Sequence, residues 1–290
     1  MALAAPTAPL PYPETFSMIN NQGKVAVIFG VRNESSIAWD VALKLHKSGC
    51  KVAVSYMADT KDEVLHLLEQ NGMDTTYAAE VDVRDEDQIT AFVKGAYDGL
   101  GAINYVLHGV AFGSQKVMCY TIPGIDEPAP EYIDIPFEEF MDAFNISAYS
   151  LLRVARVAQK FCTDDASILT LTYNASQRVF PPYAGMAICK AALENIMIYL
   201  ASYFRDRKIR VNAISAGLVM TTSAAGINGV RTLRKIGKFT APLGNITAGD
   251  VGDAALYYFS DLSKRATGNI HFVDGGFNIM GLGVDGDKAN

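Results

Sequence analysis

From Lys24 onward, short runs of nearly continuous apolar residues alternate with stretches of helical periodicity, and few folds accommodate that rhythm. The apolar runs fall at 25–29, 51–56, 75–81, 103–110, 167–172, 210–215 and 270–273. The helical stretches fall at 36–47, 60–70, 86–100, 136–161, 183–205 and 248–260. A strand without polar alternation is covered on both faces, as in a parallel sheet. Helices between such strands make right-handed crossovers. The pattern predicts an α/β fold: a doubly wound, parallel, seven-stranded sheet of Rossmann type with helices on both faces. No composition shift marks an internal linker. The 290 residues therefore read as a flexible N-terminal tail over 1–22 and one domain over 23–290. Two segments break the rhythm. Residues 113–135, with Pro123, Pro128 and Pro130, and residues 216–239, which follow the sixth strand, are both predicted as substrate loops.

Composition narrows the function. Half of the residues are hydrophobic and 19% are charged, which excludes a disordered chain. The net charge of −6 argues against a general nucleic-acid binder. Cys50, Cys119, Cys162 and Cys189 form no Cys-x-x-Cys pair, so no metal site is expected. Free thiols suit a reducing compartment. The first 13 residues carry four prolines and no basic residue, unlike a secretory signal. The longest apolar stretch, 196–204, is far short of the roughly 20 residues that span a bilayer. A cytoplasmic protein without a membrane segment is the expectation.

The first strand runs directly into Gly30, and a helix begins at Ser36-Ile37-Ala38. Glycine lets a pyrophosphate approach the backbone, and the helix N-terminus supplies N–H groups and partial positive charge. Ser35 and Ser36 are candidate caps and phosphate donors; an ordinary glycine turn with a serine cap is the alternative, and the usual G-x-G-x-x-G spacing is absent. Asp82-Val83 follows the third strand, where a carboxylate could accept a bond from an adenine amino group. Gly109-Val110 follows the fourth, with room for a ribose.

The stretch from Tyr173 to Lys190 carries the chemistry. On a helix, seven residues turn about 700°, which brings Tyr183 and Lys190 within about 20° of one another. A lysine near a phenol is expected to lower the phenol's pKa. A tyrosine so placed can donate to a developing oxyanion. Tyr173 sits at the same sheet edge, at the end of the fifth strand. Two amphipathic tyrosines and a solvated lysine are the alternative.

These pieces, together with His108-x3-Phe112, the run from Val211 to Gly217 and Val273-Asp-Gly-Gly-Phe277, carry a resemblance. The chain resembles the short-chain dehydrogenase/reductase superfamily and, within it, the bacterial NADH-dependent enoyl-(acyl carrier protein) reductases. The likeness covers roughly residues 23–280. It has the Tyr-x6-Lys spacing of this branch, with Ala187 where commoner reductases place lysine. The resemblance implies hydride transfer from NADH to the C=C of a trans-2-enoyl thioester. Tyr183 would polarise the thioester carbonyl, Lys190 would hold the nicotinamide ribose, and Tyr173 would assist. Gly113 would line the substrate pocket with Tyr173 and Tyr183. Gly30, Ser36 and Ile37 would meet the pyrophosphate, Asp82 and Val83 the adenine, and Val110 the ribose side. Val219, Met220, Thr221, Thr222 and Ser223 would embrace the nicotinamide and phosphates. Gly109, Leu218, Met57, the long 113–135 loop and the N-terminal tail depart from the family pattern. Such departures suit a relative with a specialised substrate, so reduction of another C=C, C=O or C=N is the second reading, and a non-catalytic dinucleotide sensor the third.

An NADP enzyme usually places Arg or Lys just past the second strand. Asp59 stands there, ahead of Lys61, so NADH is favoured over NADPH. The helix at 187–204 is apolar nearly all round and needs more cover than one sheet gives. Two-fold symmetry, as a dimer or a D2 tetramer, is the usual solution, and the resemblance favours a homotetramer. Arg231, Arg234, Lys235 and Lys238 cluster on one predicted helical side. That patch is either a solvated face or a docking surface for an acidic acyl carrier protein.

Overall fold

The computed structural model describes residues 19–118, 131–225 and 230–283. Seven strands form one sheet: β1 (Val25–Phe29), β2 (Lys51–Tyr56), β3 (Ala78–Glu80), β4 (Ile103–His108), β5 (Cys162–Thr172), β6 (Arg210–Ala216) and β7 (Ile270–Val273). Their order is β3-β2-β1-β4-β5-β6-β7, and every neighbouring pair is parallel. The chain leaves β1 toward one edge through β2 and β3, then returns to build the other half from β4. That reversal opens a crevice beyond the carboxyl ends of β1 and β4, where ligands bind in such sheets.

The helices are α1 (Ile37–Lys47), α2 (Lys61–Gln70), α3 (Glu86–Leu100), α4 (Gln115–Met118), α5 (Phe137–Phe144), α6 (Ser150–Ala158), α7 (Ala184–Tyr203), α8 (Thr222–Ala225), α9 (Val230–Thr240) and α10 (Ala248–Tyr258). Side chains on a strand alternate between faces. Along β1, Val25, Val27 and Phe29 enter a core with α3, α6 and α7, while Ala26 and Ile28 enter a second core with α1, α2 and α10. Phe29 meets Phe92 of α3 edge-on, with centroids 5.3 Å apart. Both faces of the sheet are thus filled, which is why its strands carry no polar alternation.

Four expectations change. The 136–161 helix is interrupted by a π-helical turn at Asn145–Tyr149 between α5 and α6. Residues 216–239 are largely helical, in α8 and α9, rather than a loop. The tail assignment fails at its inner end. Asn21 is buried, its amide donates to Ser48 Oγ at 2.9 Å, and its Oδ1 accepts from the Tyr105 hydroxyl at 2.9 Å. Residues 1–18 and most of the 113–135 loop, including its three prolines, lie outside the described residues. Finally, α7 at 20 residues is long and apolar enough to cross a membrane by length and composition alone. Its side bearing Met186, Cys189, Leu193 and Met197 is buried in the protein, so it packs as a core helix.

Candidate active site

One cleft of about 790 Å³ runs across the carboxyl ends of the strands. Its floor is two glycines at the switch point. Gly30, at φ +96°, lies so close to Gly109 that a Cβ on it would stand 2.3 Å from the Gly109 carbonyl oxygen. A Cβ on Gly109 would stand 2.8 Å from the Phe29 carbonyl oxygen. Side chains at either position would push the strand ends apart, which accounts for Gly109 in this chain.

The loop after Gly30 is braced from within. Ser36 Oγ accepts from the N–H of Arg32 at 3.1 Å and of Asn33 at 3.0 Å. It therefore organises the loop instead of capping α1 through its side chain, which corrects one of its two expected roles. Ile37 opens α1 at the cleft wall. Asn33 Nδ2 donates to Thr222 Oγ1 at 2.6 Å, which ties this loop to the segment after β6. Val219, Thr221 and Thr222 line the cleft there. Met220 instead joins a small apolar cluster with Met118, Tyr183 and Leu218. The Ser223 side chain lies outside the described residues.

At the β3 end, Asp82 and Val83 line the cleft as expected. Asp82 is engaged, however: Arg84 Nε donates to both carboxylate oxygens at 3.0 Å, and Arg84 Nη2 donates to Oδ2 at 2.7 Å. The guanidinium holds the Asp82 carboxyl below its usual pKa. Arg84 reaches on to Asp142 of α5 at 3.1 Å, joining the β3 end to the helix beside the cleft. Val110 and Gly113 line the wall beyond β4.

The chemical end gathers Tyr173, Tyr183 and Lys190 on one wall. The two tyrosine rings meet edge-on with centroids 5.2 Å apart. Phe180 packs at a tilt against Tyr173 with centroids 4.8 Å apart, and Phe277 against Phe180 at 5.7 Å. Tyr183 stands at the end of the short 3-10 turn Pro181–Tyr183, at the N-cap of α7 with φ −137°, rather than within the helix. The helical-wheel argument for its direction therefore fails; the turn, held by the Tyr183 N–H on the Phe180 carbonyl, aims it instead. Its expected acidification fails too. Burial raises the Tyr183 pKa, as it does for Tyr173, so both phenols stay protonated at neutral pH.

Lys190 is buried, not solvated, and its Nζ donates to the Leu171 carbonyl at 2.9 Å. Burial brings its pKa down to about 8, while Cys189 beside it and Glu194, one turn further along α7, oppose that shift. Glu194 was not legible as a site residue. It is buried, and its Oε1 accepts from Thr172 Oγ1 and from Ser176 Oγ, each at 2.6 Å. Those hydroxyls flank Tyr173. The only hint in the sequence was a charge four residues after Lys190 on a mostly apolar helix. His108, at the end of β4, is also buried, between Thr170 Oγ1 at 3.0 Å and Ser150 Oγ at 2.7 Å, and burial pushes its pKa down to about 3. Among the described residues, no group of three or more His, Cys, Asp or Glu could hold a metal ion.

A glycine floor with a braced helix start, an opposing threonine strap and a buried lysine beside two neutral phenols suits a dinucleotide lying under a reducible substrate. Comparison with known proteins agrees. The sequence family described as enoyl-(acyl carrier protein) reductase matches residues 30–278. The enoyl-(acyl carrier protein) reductase (NADH) FabI of Rickettsia typhi is 38% identical over 262 residues, which is 90% of this chain and 96% of that protein. The enoyl-(acyl carrier protein) reductase from Anaplasma phagocytophilum, solved in complex with NAD, superposes with TM-score 0.82 at 34% identity, covering 92% of this chain and 96% of that one. The Bacillus cereus enoyl-acyl carrier protein reductase, solved with NADP+ and indole naphthyridinone, superposes with TM-score 0.84 at 36% identity, covering 91% and 100%. By its sequence, its sheet order and the family match across nearly the whole domain, this chain belongs to the enoyl-(acyl carrier protein) reductase family.

Proposed function

We propose that the protein reduces the C=C bond of a trans-2-enoyl thioester carried on acyl carrier protein, with NADH as reductant, in fatty-acid synthesis. The observation that carries this is the wall of Tyr173, Tyr183 and Lys190 at one end of a single cleft whose other end is floored by Gly30 and Gly109. When bound, the nicotinamide supplies a hydride for the β-carbon of the substrate. Lys190 holds the ribose next to it. Gly30, Ser36 and Ile37 bring backbone N–H groups and a helix N-terminus to the pyrophosphate. Thr221 and Thr222, which line the opposite side of the cleft, would meet the phosphates.

Negative charge builds on the thioester oxygen as the β-carbon is reduced. Tyr183, kept neutral by burial, would donate a hydrogen bond to that oxygen and stabilise the developing enolate, whose α-carbon would then take a proton from solvent as the carbonyl re-forms. Tyr173 lines that side of the cleft, and Phe180 packs behind its ring. A sensor would need the lysine for the ribose but not a neutral phenol aimed at a reacting carbonyl. The basic side of α9, with Arg231, Arg234, Lys235 and Lys238 all exposed, offers the acidic carrier protein a docking surface beside the cleft. The protein works in the cytoplasm as a homotetramer, in keeping with the buried free thiols of Cys50, Cys162 and Cys189.

The test is NADH oxidation with crotonyl thioesters of carrier protein and coenzyme A, for the wild type and Tyr183→Phe. Turnover of the variant is expected to fall by about 10²–10³, the usual loss on removing an oxyanion donor. NADH affinity is expected to stay unchanged. Full activity in Tyr183→Phe would reject the assignment.

A further inference from the structure

Asp59, past the end of β2, is not alone. Arg32, two residues after Gly30 in the loop beyond β1, donates from Nη2 to Asp59 Oδ2 at 2.7 Å. Both residues line the adenosine end of the cleft, with Ser55, Tyr56 and Met57. The Arg32 backbone is held in place, because its N–H donates to Ser36 Oγ at 3.1 Å. A carboxylate here suits a ribose 2′-hydroxyl, and an arginine here suits a 2′-phosphate. This chain carries both, ion-paired to each other.

We propose that the Arg32–Asp59 pair reads the 2′ position of the cofactor's adenosine: Asp59 occupies the guanidinium and disfavours a phosphate, while Arg32 is a latent 2′-phosphate ligand. The inference rests on the reading of this cleft as a nicotinamide-cofactor site, and it names a residue that selects the form of the cofactor. Three physical points support it. The pair is partly exposed, 36% and 65% for the two side chains, and such pairs are weak enough for an incoming anion to compete. Arginine meets phosphate oxygens through two parallel N–H donors, which a lysine cannot do. The charges at this corner cancel while Asp59 is ionised, so removal of one carboxylate leaves a net cation where a 2′-phosphate would lie. Asp82, Arg84 and Asp142 also line the cleft but bond among themselves, and Glu34, Lys61, Asp62 and Glu63 are outside its lining.

The experiment is equilibrium binding of NADH and NADPH, followed by nucleotide fluorescence without any acyl substrate. Four proteins are compared: wild type, Asp59→Asn, Arg32→Ala and the double variant. The wild type is expected to prefer NADH. Asp59→Asn is expected to tighten NADPH by about tenfold, the scale of one removed charge at close range in a partly solvated site. NADH binding should weaken only modestly, since the amide keeps an acceptor for the ribose 2′-hydroxyl, and raised salt should erode the NADPH gain. In the double variant the gain should vanish. An equal gain with and without Arg32 would overturn the proposal and leave Asp59 as simple repulsion, and no gain at all would also overturn it. Binding of neither nucleotide by the wild type would overturn the cofactor reading itself, and this proposal with it. Tight NADH binding without enoyl reduction would reject only the substrate.

Discussion

At the scale of single residues, the least visible part of the site is the buried pair Lys190 and Glu194. Lysine burial disfavours the ammonium, and a carboxylate one turn away restores part of it. Glu194 also fastens Thr172 and Ser176 on either side of Tyr173, so one side chain braces the segment around the phenol and stands one turn from the lysine. Cys189 lies beside Lys190 on α7, and His108 faces it from β4. His108 stays neutral at working pH, and so does the Cys189 thiol, whose pKa burial raises to about 11, which leaves Glu194 as the carboxylate opposing that burial. NADH affinity should decline as pH rises through about 8, where Lys190 loses its proton. Folding stability should move the other way. Between about 8 and 10.5 the unfolded chain holds the lysine proton and the native chain has released it, so this residue's contribution rises with pH. Alkaline loss of affinity in that window is therefore not unfolding. Glu194→Gln keeps an acceptor for both hydroxyls but removes the charge. Its alkaline limb of NADH binding should shift to lower pH by up to about one unit, while a purely structural role would leave the limb in place. Binding titrations from pH 6.5 to 9.5 check this, with thermal melts run alongside.

At the scale of elements, most of the sheet could be read from the sequence. Continuous apolar runs such as that at β1 have no other stable place than between two helical layers. Boundaries were harder. The sequence pattern begins β5 at residue 167, but it begins at Cys162, and Ile103 pairs with Cys162 across a register shift. Asp164 and Asp165 disguise that start, since Asp165 takes φ 67°, as a turn residue would. The π-helical turn at Asn145–Tyr149 was illegible for a different reason: neither proline nor glycine marks it, and its justification is tertiary. Ser147, on that turn, is fully buried, accepts from the Phe112 N–H at 2.9 Å and donates to the Phe112 carbonyl at 2.9 Å. A helix with an extra residue in one turn can aim such a side chain where a regular helix would not. The turn thereby anchors the segment that leads from β4 to Gly113. Ser147→Ala would leave two backbone groups without this partner. A loss of about 1–3 kcal/mol in chemical denaturation is expected. KM for the acyl substrate should rise more than KM for NADH, since Gly113 borders the predicted acyl end. An unchanged denaturation midpoint would show that the clamp is dispensable.

At the scale of the whole molecule, the open question is what covers the outer side of α7. Its inner side is committed to the core through Leu193, Met197 and Leu200. The outer side exposes Ile188, Ile198, Tyr199 and Tyr203, the last two at 71% and 70%. Single exposed apolar side chains are ordinary, but a row of them along one long helix marks an interaction surface. The helix needs Lys190 and Glu194 on its inner side for the site, so the apolar row cannot be a second core face turned outward by chance of register. A self-complementary contact between two copies, each offering α7 to the other about a two-fold axis, covers the row without any further chain. That contact would also brace α7 from behind and so hold Lys190 and Tyr183 against the cleft. Ile198→Asp with Tyr199→Asp should split the assembly, because each copy would bring its carboxylates against the other's at the axis. Light scattering at micromolar concentration should give a homotetramer for the wild type and a smaller species for the double variant. NADH turnover in the variant should fall in step with the loss of assembly. A wild-type monomer would overturn the argument, and so would a variant that keeps the full assembly.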